Sequence, residues 1–209
     1  MTVNPASTAE DPTASGGHVP VTAGFSDPAP LGLAGFAMTT FVLSCVNAHL
    51  LDASTGGVVL GLALFYGGIA QFAAGLWEFA KGNTFGSTAF CSFGAFWLSF
   101  WFLEAHTDLS GASPSQASHA VGTFLLAWAI FTGYMTIAAT RTTGAILAVF
   151  VVLFLTYIAL TIGAFAISTG WDKVGGWLGI VTAFLAWYAA FAGVTNATYK
   201  RQVLPTIPL

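Results

Sequence analysis

The chain has 209 residues, 56% of them hydrophobic and only 6% charged, with a formal net charge of −3. A soluble domain carries about 25% charged residues, and at a mean hydropathy of +0.80 the implied solvent is lipid. The five Lys and Arg form no basic stripe, which excludes a nucleic-acid partner.

Residues 1–26 are rich in Pro, Ala, Ser, Thr and Gly. They lack the basic start and apolar core of a signal peptide and carry too little apolar surface to offset chain entropy. They are predicted to be a disordered cytoplasmic tail. A spanning helix needs about 20 mostly apolar residues, and six runs qualify: 31–51, 56–78, 85–103, 120–139, 143–167 and 175–195. The strict alternation of a transmembrane barrel is missing. The expectation is an all-α membrane protein, with 27–199 forming a six-helix transmembrane domain and 200–209 a short cytoplasmic tail. With six spans, Lys81, Arg141, Lys200 and Arg201 fall on one side and Lys173 alone on the other. The bias of basic residues toward the inside then places both termini in the cytoplasm.

The first span opens on DPAPLGLAGFAMTT at 27–40. Asp27 reads as a helix cap; Pro28 suits the first turn, where a missing N–H costs nothing, and Pro30 follows it. Phe36, Thr40, Ser44 and Asn47 recur at helical spacing and share a face. A polar stripe on a span belongs toward a protein interior or a wet path, although Thr and Ser hydroxyls can also bond back to their own helix. In the second span Gly61, Leu64, Gly68, Gln71, Gly75 and Glu78 share a face whose small residues allow close helix packing. Gln71 sits mid-span, where it either bonds another helix or lines a path. Glu78 and Glu104 read as solvated acids near span ends. The third span holds an aromatic face of Phe93, Phe96 or Trp97, and Phe100. Trp77, Trp101, Trp171 and Trp177 suit an interfacial belt. Cys45 and Cys91 lie in apolar runs as packing residues. His18, His49, His106 and His119 have no ligand spacing, so no metal is expected. No catalytic triad order, phosphate loop or cofactor fingerprint appears; the reading is a non-enzyme without cofactor.

The opening stretch resembles the NPAPLGL signature of the acetate uptake transporter family, the succinate–acetate permeases. The similarity continues through FYGGIAQFAAGLWEFAKGNTFGSTAF at 65–90 and GAFW at 94–97, and more weakly through FTGYM at 131–135 and WYAAFAG at 187–193. The resemblance implies six helices per protomer, a homo-hexamer in the cell membrane, and a pore through each protomer for acetate and small carboxylates. It implies a narrow apolar constriction at Phe36, Phe93 and Leu153, where Phe93 replaces the family's Tyr. Asp27 likewise replaces the signature Asn. Substrate-path residues are expected at Thr39, Thr40, Asn47, Gln71, Ser92 and Trp97. The alternatives are a proton-coupled acetate symporter, a pore for ammonia or water, and a non-transporting membrane scaffold.

Overall fold

The computed structural model describes residues 24–209, so most of the predicted N-terminal tail lies outside the described residues. The order is α1 (Ala29–Asn47), a 3-10 turn (Ala53–Thr55), α2 (Val58–Leu64), a π-helical stretch (Phe65–Ala70), α3 (Gln71–Ala80), α4 (Thr84–His106), α5 (Pro114–Ala139), α6 (Gly144–Ala166) and α7 (Thr169–Tyr199). Counting Val58–Ala80 as one span, six helices are long and apolar enough to cross a membrane. The chain is an all-α membrane protein, as its hydropathy requires.

The spans form a ring. α1 packs on α7 and on the second span, α7 on α6, α6 on α5, and the second span on α4. The backbones of α4 and α5 meet only sparsely, and large rings fill that seam. Phe96 packs on Phe124 and Trp128 with centroids at 5.8 and 5.2 Å, and Phe93 on Phe131 at 5.3 Å. One end of the ring gathers Lys81, Arg141, Lys200 and Arg201; we call it the basic end. The other carries Asp52, Glu104, Asp108 and Asp172 and is the acidic end.

Several boundaries differ from the expected ones. Pro28, not Asp27, is the N-cap of α1. Pro28 and Pro30 have no N–H to offer, so Asp27 is left outside the helix, and the one helix N–H it accepts from is that of Ala29, at 3.3 Å. α1 stops at Asn47 rather than near residue 51, because His49 turns into the left-handed region (φ 58°). The sixth span starts six residues earlier than expected and runs to Tyr199.

The second span is not one continuous α-helix. Its turn at Phe65–Ala70 is wound as a π-helix, a rare geometry frequent at functional sites. Two glycines make it possible. A Cβ on Gly67 would lie 2.6 Å from Thr39 Oγ1 and 2.8 Å from Trp97 Cδ1, and one on Gly68 would lie 2.5 Å from the Ala63 carbonyl. The Thr39 hydroxyl donates to the Gly35 carbonyl at 2.8 Å and reaches the Leu62 carbonyl at 3.4 Å.

Residues 201–209 do not trail away. The Asn196 carboxamide accepts from the Val203 and Leu204 N–H groups and donates to the Leu204 carbonyl, at 2.7–2.9 Å. Tyr188 donates to the Pro205 carbonyl at 2.6 Å. The Gly144 and Ala145 N–H groups donate to the Ile207 and Thr206 carbonyls at 2.7 and 3.2 Å. The segment is a strap across the start of α6, at the basic end.

Candidate functional site

Two cavities enter the ring from opposite ends. The basic-end chamber, about 160 Å³, is walled by the early turns of α1, α4 and α6, and its lining includes Leu33, Phe36, Gln71, Asn83, Phe93 and Leu153. The acidic-end chamber is larger, about 720 Å³; its lining includes Asn47, Phe96, Glu104, Tyr157 and Asp172. The helices carry both in register. Along α4 the wall passes from Phe93 to Phe96, and along α6 from Leu153 to Tyr157, so about one helical turn of 5.4 Å separates the two chambers.

That turn is filled by aromatic and aliphatic side chains. Phe36, Phe93 and Leu153, from α1, α4 and α6, are each buried and all face the basic-end chamber. The Phe36 and Phe93 rings are 5.7 Å apart, and Phe150 stands 6.0 Å from Phe93. On the other side Phe96 meets Tyr157 edge-on at 5.6 Å. The structure thus brings together the three residues carried over by the resemblance. It adds Phe96, Phe150 and Tyr157, which the sequence reading did not assign to the waist. Their signal was helical spacing: Phe150 and Tyr157 stand three residues before and four after Leu153.

The expected path residues divide. Gln71 lines the basic-end chamber and Asn47 the acidic-end one. Gln71 is 1% exposed, and its Oε1 has no hydrogen-bond partner among the described residues. Thr39, Thr40, Ser92 and Trp97 line neither chamber. Thr39 and Trp97 instead meet at Gly67, in the packing of the second span on α1 and α4. Thr40 Oγ1 and Trp97 Nε1 are buried without a partner. At the helix start, Asp27 accepts from the Lys81 ammonium at 2.8 Å, which ties the start of α1 to the end of α3. The charge that distinguishes Asp27 from the signature Asn is therefore paired.

Glu78 requires a correction. It is not a solvated interfacial acid; it is fully buried. Its Oε2 accepts from Asn83 Nδ2 at 2.8 Å, and its Oε1 has no partner among the described residues. The slot exists because α4 offers Gly86 there: a Cβ on Gly86 would lie 2.9 Å from the Glu78 carboxyl carbon. Asn83 folds over the same carboxyl while capping α4 through the Gly86 N–H, at 3.0 Å.

The electrostatics are one-sided. Neither chamber is lined by Lys, Arg or His. The acidic-end chamber has Glu104 and Asp172 in its wall. Outside it, the Ser54 side chain and N–H hold the Asp52 carboxyl below its ordinary range, and Ser110 does the same for Asp108. Among the described residues no group of three His, Cys, Asp or Glu could hold a metal ion. An anion entering this path meets dipoles and apolar rings, with no fixed cation to offset desolvation.

A family model described as the GPR1/FUN34/yaaH family matches residues 11–209. Accumulation of dyads protein 2 of Saccharomyces cerevisiae is 49% identical over 193 residues, covering 88% of this chain and 67% of that protein. Ammonia transport outward protein 2 of the same yeast is 46% identical over 180 residues, covering 82% of this chain and 62% of that protein. The chain therefore spans about two thirds of the length of these yeast relatives. A solved structure titled as that of the bacterial acetate channel SatP superposes with a TM-score of 0.79 at 37% identity, covering 87% of this chain and 99% of that one.

Proposed function

The chain belongs to the GPR1/FUN34/yaaH family, and from that premise we propose that each protomer conducts acetate and related small monocarboxylates across the cell membrane. The observation that carries this reading is the waist of Phe36, Phe93 and Leu153 between two chambers, with Gln71 the one deeply buried carboxamide beside it. A small acid with one methyl group has only its single carboxyl to desolvate at an apolar waist, because its apolar end needs no hydration. A dianion or a larger acid has more charge to desolvate or more volume to fit. The likeness to the bacterial acetate channel supports the substrate class. Basic residues gather at one end, so that end faces the cytoplasm with both termini, and six protomers assemble around a common axis.

The test is uptake of labelled acetate into liposomes carrying the purified chain. Uptake above that of empty vesicles, reduced by excess unlabelled acetate, is expected; uptake equal to that of empty vesicles would sink the reading. A second reading, passage of ammonia, is favoured by the name of one yeast relative and by the absence of any cation from both linings. The same vesicles answer it through the internal pH change after an ammonium pulse.

A further inference from the structure

We infer that Glu78 is the proton-binding residue of the basic-end chamber, and that a carboxylate occupies this chamber together with a proton on Glu78. The inference rests on the carboxylate reading of the pore. Its physical starting point is a fully buried acid with one oxygen unpartnered. A buried carboxylate needs its oxygens satisfied or its charge removed, and here a single neutral donor, Asn83, serves one oxygen only.

The carboxyl lies just behind the chamber wall. Asn83, which touches it, and Gly86, which makes room for it, both line the chamber. The charged groups near it are Lys81, at the end of its own helix, and Asp27, before α1. Those two pair with each other at 2.8 Å, and the α4 residues packed on Glu78, Asn83 and Gly86, carry no charge. An ionised Glu78 is thus the uncompensated charge at this wall, and it opposes entry of an anion. A proton on Glu78 removes that opposition. Binding of the proton and of the carboxylate are then linked reciprocally: each raises the affinity for the other by the same factor.

The sign follows from linkage. A carboxylate in the chamber stabilises protonated Glu78, so acetate raises the pH at which Glu78 loses its proton. Conversely, acetate affinity falls as pH rises through that point, by up to about tenfold per pH unit for one linked proton.

Acetate uptake by the full chain in liposomes is to be measured at constant acetate and clamped voltage between about pH 6 and 8, where free acetate is almost wholly ionised. The wild type should lose uptake with rising pH. Glu78→Gln keeps an acceptor for Asn83 and removes the ionisation, so its uptake should be flat. In parallel, infrared titration of the purified protein should show a protonated-carboxyl band that Glu78→Gln lacks and whose midpoint acetate raises. An unchanged pH profile in Glu78→Gln, or a carboxyl band that survives the substitution, overturns the inference. A wild type that moves no acetate at any pH ends the acetate reading, and the infrared titration then decides Glu78 alone. Should Glu78→Gln fail to accumulate, Glu78→Asp should shift the infrared midpoint; an unshifted midpoint overturns the assignment.

Discussion

At the scale of the residue, the waist makes opposed predictions for gating and packing. If these residues gate the proposed path, Phe36→Ala or Leu153→Ala opens the turn between the two chambers, and uptake of lactate or succinate relative to acetate should rise several-fold in competition assays. If these side chains served packing alone, Phe→Ala would cost roughly 3–5 kcal/mol and appear as lost thermal stability without a selectivity change. Phe93→Tyr is a finer probe. Phe93 is ringed by Phe36, Trp128, Phe131 and Phe150, yet it also faces the chamber. A hydroxyl that reaches the chamber changes acetate uptake at little cost. One left dry among the rings costs about 1–3 kcal/mol, and thermal denaturation in detergent separates the two. Gln71→Leu should cut uptake while the protein folds normally, because the buried Oε1 has no protein partner to lose. Unchanged uptake would make Gln71 a packing residue.

At the scale of the element, the π-helical stretch depends on Gly67. Gly67→Ala drives a methyl group against Thr39 and Trp97, an overpacking expected to cost about 1–3 kcal/mol, read as a lower denaturation midpoint. Ser113→Ala removes the capping box of α5, in which the Ser113 hydroxyl accepts from the Gln116 N–H and the Gln116 side chain accepts in return. That loss should cost about 1 kcal/mol. These elements show what was legible in the sequence. Six spans follow from apolar run length alone, whereas the grouping of Phe36, Phe93 and Leu153 was implied by the family resemblance and not by spacing. The π stretch was not legible, because FYGGIA reads as an ordinary helix until Thr39 and Trp97 arrive from other spans. Glu78 was misread for a related reason. An acid near a helix end is usually solvated, and only Gly86 of the next helix creates the slot that buries it. Thr39 and Trp97 meet at Gly67, a contact between neighbouring spans that the sequence of one span does not show.

At the scale of the whole molecule, charge is partitioned between the two ends. Four of the five Lys and Arg sit at one end, and the acidic-end mouth carries Glu104 and Asp172. Neutralising that mouth with Glu104→Gln and Asp172→Asn should raise acetate entry from the acidic side more at low salt than at high, since exposed charge is screened over about 10 Å at 0.1 M. Equal effects at both ionic strengths would argue against an electrostatic mouth. Assembly is a further whole-molecule expectation. Ile130, Ile137, Phe184 and Phe191 are strongly exposed on the outer faces of α5 and α7, apolar surface available to lipid or to neighbouring protomers. Native mass measurement in nanodiscs should give a hexamer, and a monomer there would remove that part of the proposal.

The strap has a consequence in time as well as in space. The carbonyls that receive the Gly144 and Ala145 N–H groups belong to Ile207 and Thr206, about sixty residues further along the chain. They leave the ribosome after every span has been made. Until then the first N–H groups of α6 have no strap carbonyl to donate to. Docking of the strap therefore follows synthesis of all six spans, with Asn196 and Tyr188 catching the emerging residues. A chain cut back before Val203 keeps all six spans but loses the partners of the Gly144 and Ala145 N–H groups, and limited proteolysis should find the start of α6 more accessible in it.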